Sequence, residues 1–283
     1  MTPRVVRTAA ELRALEGTIA LVPTMGALHD GHVQLMKHAR PLAETLVASI
    51  FVNPTQFAAG EDFGEYPRTW DDDLQRCEEA GVDVVFAPEV ATMYPAGLVD
   101  QVTVDPGPLG SILEGEQRPT HFRGVLTVVA KLFGLVRPDV AVFGEKDYQQ
   151  LALIRLMADA LCLDVEVVGC PTVREADGLA MSSRNRYLTA DERVRAVALS
   201  QALDAGVAAG SDGPEAVRAA ALARLTDFGV VPDYVAVTSP DLGQAVPGAA
   251  RLLIAARVGK PRLLDNRALT LGPDALGHAP EGS

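Results

Sequence analysis

Over the first 170 or so residues, short apolar runs alternate with segments of helical spacing, and this alternation constrains the fold more than any other feature. The runs at residues 18–22, 46–52, 82–87, 140–143 and 165–168 are rich in Val and Ile, as expected of strands covered on both faces. Between them, residues 31–40, 71–80, 122–136 and 147–161 carry helical patterns. Strand and helix in repetition predict a parallel sheet flanked by helices, the α/β class. Asp71 suits the N-cap of its helix, and Gly81 its C-terminal stop. Residues 94–120, rich in Pro and Gly, read as a long crossover or lid with one short strand at 101–104.

The character changes after Thr172. A polar, irregular stretch at residues 174–185 leads into Ala-rich helical segments at 190–209 and 214–228, followed by strands at 234–237, 252–257 and 262–264. This is a smaller C-terminal α+β unit, so the chain divides into residues 1–172 and 173–283. Residues 272–283, rich in Gly and Pro, read as a frayed tail. A length of 283 residues fits such a pair of modest domains.

Charge narrows the function. A formal net charge of -12 argues against a nucleic-acid footprint, which needs a basic face, while leaving room for a locally basic ATP pocket. Cys77, Cys162 and Cys170 show no zinc spacing and read as buried or idle thiols of a reducing compartment. The N-terminus lacks the apolar core of a secretory signal, and no window approaches the roughly 18 apolar residues of a membrane span. A soluble, cytoplasmic protein is the expectation.

The first predicted strand runs into Pro23-Thr24-Met25-Gly26-Ala27-Leu28-His29-Asp30-Gly31-His32, where a helix begins. A strand-to-helix junction at the carboxyl edge of a parallel sheet is where nucleotides bind, and helix N–H groups there favour phosphate. His29 and His32 stand three apart, so on a first helical turn they share a face and can donate to phosphate oxygens as charge builds. His38 lies about 180° round from His29 and is the poor candidate. Two histidines at this spacing are in most sequences surface or capping residues; their place directly after a strand and Gly26 favours the functional reading. Further on, residues 174–185 end in Met181-Ser182-Ser183-Arg184-Asn185 and read as a flexible loop, mobile without nucleotide, whose hydroxyls and guanidinium suit a triphosphate. Alone this is weak, since solvated loops often look alike. Paired with the upstream histidines it matches the nucleotidyltransferases related to class I aminoacyl-tRNA synthetases.

The segments PTMGALHDGH, SIFVNPTQF, EDFGEYPRT, FGEKDYQQ, CPTVRE and DGLAMSSRN, in this order, resemble the pantothenate synthetases, and the resemblance runs over residues 18–266. It implies a Rossmann-like catalytic domain binding ATP and pantoate, a small lid domain over the ATP site, a homodimer, and Mg²⁺-bound ATP. It also implies condensation of pantoate with β-alanine through a pantoyl-adenylate, in coenzyme A precursor synthesis. Carried over by residue, ATP would contact Met25, Gly26, Ala27, Leu28, His29, Asp30, Gly31, His32, Gly144, Glu145, Lys146, Asp147, Val173, Met181, Ser182, Ser183 and Arg184. Gln56 and Gln150 would hold pantoate, and Gln56 would also face β-alanine. His32, His29, Lys146, Ser182 and Arg184 form the expected catalytic set, with Asn53, Tyr66 and Glu114 near the pocket. Asp30 stands where the family often has Glu, with no loss of function expected.

These assignments suit the chemistry. A small hydroxy acid with gem-dimethyl groups needs an apolar wall and a few uncharged amides, which glutamines supply. Its carboxylate is already ionised, so adenylation needs positioning and charge neutralisation rather than a base. No residue stands out as the base for β-alanine, and no metal ligands are assigned; the acids Asp71, Asp72 and Asp73 read as capping and dipole partners. An AMP-transferring enzyme acting on a phosphate would not need the amides, a tRNA-charging enzyme would need a basic surface, and a nucleotide sensor would be expected to lose a signature residue.

Overall fold

The computed structural model describes residues 2–58, 63–99 and 101–272, so from residue 273 on the expected tail lies outside the described residues. The chain forms two compact units that divide after Val173. In the first, the elements are β1 (Arg4–Val6), α1 (Ala9–Leu12), β2 (Ile19–Thr24), α2 (Asp30–Ala39), β3 (Thr45–Ile50), α3 (Trp70–Glu79), β4 (Val84–Phe86), α4 (Val90–Met93), α5 (Glu114–Gln117), α6 (His121–Val136), β5 (Val140–Gly144), α7 (Tyr148–Ala160) and β6 (Glu166–Cys170).

The six strands pair in parallel in the order β1-β4-β3-β2-β5-β6. Both faces are covered, which explains why the strands read as apolar runs. Leu21, Val47, Val84, Phe86, Ala141 and Phe143 pack with residues of α6 and α7. Their neighbours Ala20, Val22, Leu46, Ala48, Val85, Val140 and Val142 pack with Val33, Met36 and Ala39 of α2 and Cys77 of α3. The sheet therefore separates two apolar layers.

From β2 the chain winds one way to β3 and β4, then crosses to lay β5 and β6 on the other side. This reversal opens a crevice at the carboxyl ends of β2 and β5. Their pairing stops at Leu21 and Ala141, although β2 continues to Thr24 and β5 to Gly144. Asp139 N–H donates to Ile19 C=O on the β5 side, and Phe51 N–H to Thr24 C=O on the β3 side. By strand alternation the N-H-less Pro23 faces the β5 side, past the last pair, and no ladder bond is lost.

Two expectations change, and one strand stands where none was expected. The edge strand β1, only three residues long, was too short to read. Residues 101–104 form no strand: Val102 is 94% exposed, and Val104 N–H donates to Thr127 Oγ1 on α6, so a helix side chain takes the bond a neighbouring strand would have taken. The N-cap position of α3 is Thr69, not Asp71; Gly81 does follow the helix, with φ +76°.

The second unit holds α8 (Ala190–Ala208), α9 (Pro214–Asp227), β7 (Pro232–Thr238), β8 (Gly248–Arg257) and β9 (Arg262–Leu271). The three strands form an antiparallel sheet in the order β7-β8-β9. Ala250, Leu252, Ile254 and Ala256, alternate residues of β8, share its core with Leu199, Leu203, Val217 and Leu225 of the two helices. β9 runs well beyond the expected 262–264 because Leu263, Leu269 and Leu271 reach the same core.

Candidate active site

β2 ends at Thr24, whose Oγ1 donates to Ser49 C=O at 2.6 Å and accepts Gly26 N–H at 3.2 Å. Gly26 then turns the chain at φ +79°, where a Cβ would lie 2.9 Å from Asp73 Oδ2, so the position demands glycine on both conformation and space. Ala27 is also left-handed, at φ +50°. The N–H groups of Ala27 and Leu28 both point at Asp73, at 3.0 Å and 2.7 Å, and Thr69 Oγ1 donates to the same carboxylate at 3.2 Å.

His29 is the N-cap of α2 rather than a member of its first turn, with extended backbone at φ -134° and ψ 175°. The two histidines therefore meet in a reciprocal capping box instead of sharing a helical face. His29 Nδ1 accepts Gly31 N–H at 3.1 Å, and His32 Nδ1 accepts His29 N–H at 3.3 Å. Their ring centroids lie 4.1 Å apart. A neutral imidazole that accepts at Nδ1 carries its proton on Nε2, so each ring offers an Nε2–H donor.

The expectation of exposed backbone N–H groups at this turn needs correcting: those of Ala27, Leu28, His29, Gly31 and His32 are all engaged within the chain. The imidazole rings carry the side-chain N–H groups of this turn. His32 keeps partial surface exposure, but desolvation, then the neighbouring basic groups His29, Lys146 and Arg76, pushes its pKa down to about 3. It is a neutral donor and not an imidazolium acid.

Across the crevice, Gly144 ends β5, and Glu145, Lys146 and Asp147 form a 3₁₀ turn leading into α7. Lys146 Nζ lies 3.4 Å from Asp147 Oδ1, and its effect on His32 brings the two strand ends into electrostatic contact. Asp30 is exposed and takes an ion pair from Arg76 at 2.8 Å.

After β3, Asn53 caps a 3₁₀ turn of Pro54–Gln56. Asn53 is buried and its amide orientation is set on both sides: Oδ1 accepts from Thr55 N–H, Thr55 Oγ1 and Tyr94 OH, while Nδ2 donates to Gly124 C=O and Gln56 Oε1. Gln56 then directs Nε2 to Met25 Sδ at 3.0 Å, which joins one expected pantoate residue to one expected ATP residue. Gln150 is half-buried on α7. Its neighbour Gln149, which the sequence reading passed over, is buried and accepts Glu114 N–H while donating to Leu109 and Ile112 C=O. Tyr66 and Glu114 are buried.

Val173 closes the first unit, and Met181, Ser182, Ser183 and Arg184 belong to the second. Within the loop expected at 174–185, the first seven residues close a short hairpin. Arg174 bridges to Ala180, and its guanidinium grips buried Asp265 of β9 at 2.6 Å and 3.0 Å. Arg193 of α8 pairs with Glu175 and Asp177, and Asn185 Nδ2 holds Glu175 Oε1 and Ala180 C=O. Ser182 Oγ accepts Arg184 N–H at 3.3 Å and starts the next 3₁₀ turn. Glu175, Asp177 and Asn185, which suggested solvent contact, are instead bonded within the unit.

A doubly wound parallel sheet with a histidine-capped helix at its switch point is a nucleotide-handling architecture. A family model described as pantoate-beta-alanine ligase matches residues 2–268. The pantothenate synthetase of Thermobifida fusca (strain YX) is 56% identical over 286 residues, covering 95% of this chain and 97% of the relative. That of Mycobacterium avium (strain 104) is 54% identical over 276 residues, covering 95% and 89%. A crystal structure of pantothenate synthetase from Thermus thermophilus superposes with a TM-score of 0.87 at 47% identity, covering 95% of this chain and 100% of its own. A Francisella tularensis pantoate-beta-alanine ligase, complexed with beta-gamma ATP and beta-alanine, gives 0.77 at 32% identity, covering 94% and 97%. The chain belongs to the pantoate–β-alanine ligase family. It is an enzyme, a carbon–nitrogen bond-forming ligase that uses ATP to join pantoate to β-alanine. The family resemblance and the fold class read from the sequence both hold.

Proposed function

We propose that ligation runs in two steps through a pantoyl-adenylate. The pantoate carboxylate oxygen attacks the α-phosphorus of ATP, a P–O bond forms, and the bond to pyrophosphate breaks. The β-alanine amine then attacks the activated carbonyl, AMP leaves, and the ammonium proton formed in the amide-forming step passes to solvent or the AMP phosphate. The observation that carries the reading is the His29–His32 capping box, with both Nε2–H donors at the end of β2. Preorganised donors of this kind act where negative charge grows.

In this reading ATP lies along residues 25–32, 144–147, Val173 and 181–184, and Lys146, Ser182, Ser183 and Arg184 share the phosphate charge. Gln56 and Gln150 bond pantoate, and Gln56 reaches β-alanine. Mg²⁺ enters with the triphosphate, whose oxygens are the ligands a hard divalent cation takes. The second unit serves as the lid. The product feeds coenzyme A precursor synthesis in the cytoplasm; recovery of the activity outside the cytosolic fraction would remove that location. The homodimer rests on the family resemblance, and a sedimentation mass of 29.9 kDa would exclude it. Among the described residues no helix is long and apolar enough to cross a membrane.

The two-step scheme is tested by isotope exchange. With pantoate and Mg-ATP but no β-alanine, labelled pyrophosphate should enter ATP. Strict dependence of that exchange on β-alanine would replace the scheme with a concerted one.

A further inference from the structure

Asp71, Asp72 and Asp73 open α3, and the third acid differs from its neighbours: Asp71 and Asp72 are exposed, whereas Asp73 is 2% exposed. Its carboxylate takes the hydroxyl of Thr69, the N-cap of its own helix, and reaches into the turn after β2. There it accepts the N–H groups of Ala27 and Leu28, the two residues directly before His29. Gly26 packs so closely that a Cβ would touch Asp73 Oδ2, and one turn further along α3 Arg76 holds Asp30, the residue after His29. Helix α3 thus grips the backbone before the His29 cap and the side chain after it.

We propose that Asp73 is a positioning residue for adenylation: by fixing the turn at residues 26–28 it sets where the His29 and His32 Nε2–H donors stand. Two consecutive N–H groups at such a turn would otherwise be free to swing toward solvent or anion. Bound to Asp73, they leave the imidazoles as the forward donors and hold the ring pair at one separation. The inference rests on reading His29 and His32 as phosphate-side donors. Its supporting consequence is electrostatic. His32 is desolvated with His29, Lys146 and Arg76 around it, and a displaced turn would change that environment.

The test uses the full-length enzyme with Asp73→Asn, which keeps shape but replaces one acceptor oxygen by a donor, and Thr69→Val, a milder change that removes only the hydroxyl bond to the carboxylate. Asp71→Asn, an exposed neighbour, is the control. Asp73→Asn should lower kcat of pantoate-dependent pyrophosphate exchange about ten- to hundredfold, the scale of a misplaced catalytic group, with KM for pantoate nearly unchanged. Thr69→Val should fall between it and the parent. In NMR titration of the folded variant, the His32 pKa should climb from its depressed value toward that of ordinary imidazole. Exchange kcat and His32 titration both unchanged in folded Asp73→Asn, even with a lower melting temperature, would overturn the inference and leave Asp73 a stability residue. If His29→Ala and His32→Ala leave exchange intact, the donor reading itself fails, a result separate from the behaviour of Asp73.

Discussion

His32 titrates near pH 3 in the folded chain and near its ordinary value of 6.5 when unfolded, so the unfolded state binds more protons between those values. Stability should therefore rise with pH through that window and be lost as pH falls from about 6.5 toward 3. Denaturant titrations at about pH 7 and about pH 4.5 should show a smaller loss in His32→Gln than in the parent; equal losses would mean the ring is not desolvated. His29→Ala or His32→Ala should slow adenylation by roughly 10²–10³, the scale of one preorganised donor. His38→Ala should be near neutral, because His38 is exposed in the last turn of α2. The histidines were legible from spacing, but their mutual capping was not, since the same spacing also fits a shared helical face. Asp73 left a signal: with Cys77 and Ala80 it falls at i, i+4 and i+7 on the buried face of α3. Lying within an acidic run masked it.

At the scale of elements, α6 approaches the Pro54–Gln56 turn so closely that a Cβ on Gly124 would overlap Thr55 C=O and lie 2.7 Å from Gln56 Cα. Ala is the better helix former by about 1 kcal/mol, but overpacking against backbone costs about 1–3 kcal/mol. Overpacking should win. Gly124→Ala should lower the melting temperature and raise KM for pantoate as the turn carrying Gln56 is displaced, and a stabilised variant with unchanged KM would contradict the contact. The helix itself was readable almost to the residue, because its apolar face is long and periodic. The 3₁₀ turn it supports was not, since Asn-Pro-Thr-Gln carries turn chemistry without specifying what it packs against. The misread strand at 101–104 has the same origin: alternation of Gln, Val, Thr and Val suits a strand only where a partner strand exists.

Across the whole molecule, the first residue of the second unit is also one of its anchors. Arg174 has a 21% exposed side chain and meets an Asp265 that is 3% exposed. Removing one member of a buried pair strands the other's charge, at about 3–5 kcal/mol, while replacing both with apolar groups costs far less. Arg174→Met should therefore lower the melting temperature sharply and open the hairpin to trypsin at Arg184, and adding Asp265→Leu should recover much of both. No recovery in the double variant would show that the guanidinium matters through Gly178 C=O, 3.1 Å away, and not through the carboxylate. The α/β class was legible because strands buried on both faces must be apolar throughout. Strand order was not, since the crossover from β4 back to β5 depends on which faces α6 and α7 cover.

The contact between Gln56 and Met25 bears on selectivity. Sulfur is a weak acceptor, and a ligand carboxylate or hydroxyl oxygen is a stronger one, so the amide can exchange partners with little reorganisation. Sites that discriminate most steeply do so because a wrong ligand leaves a buried donor with nothing to bond. Here a substrate analogue lacking the matching oxygen would leave Gln56 where it already rests, on the thioether. On the proposed assignment, Gln56 rewards the right acid without punishing the wrong one, and steep rejection of close analogues must come from elsewhere in the pocket.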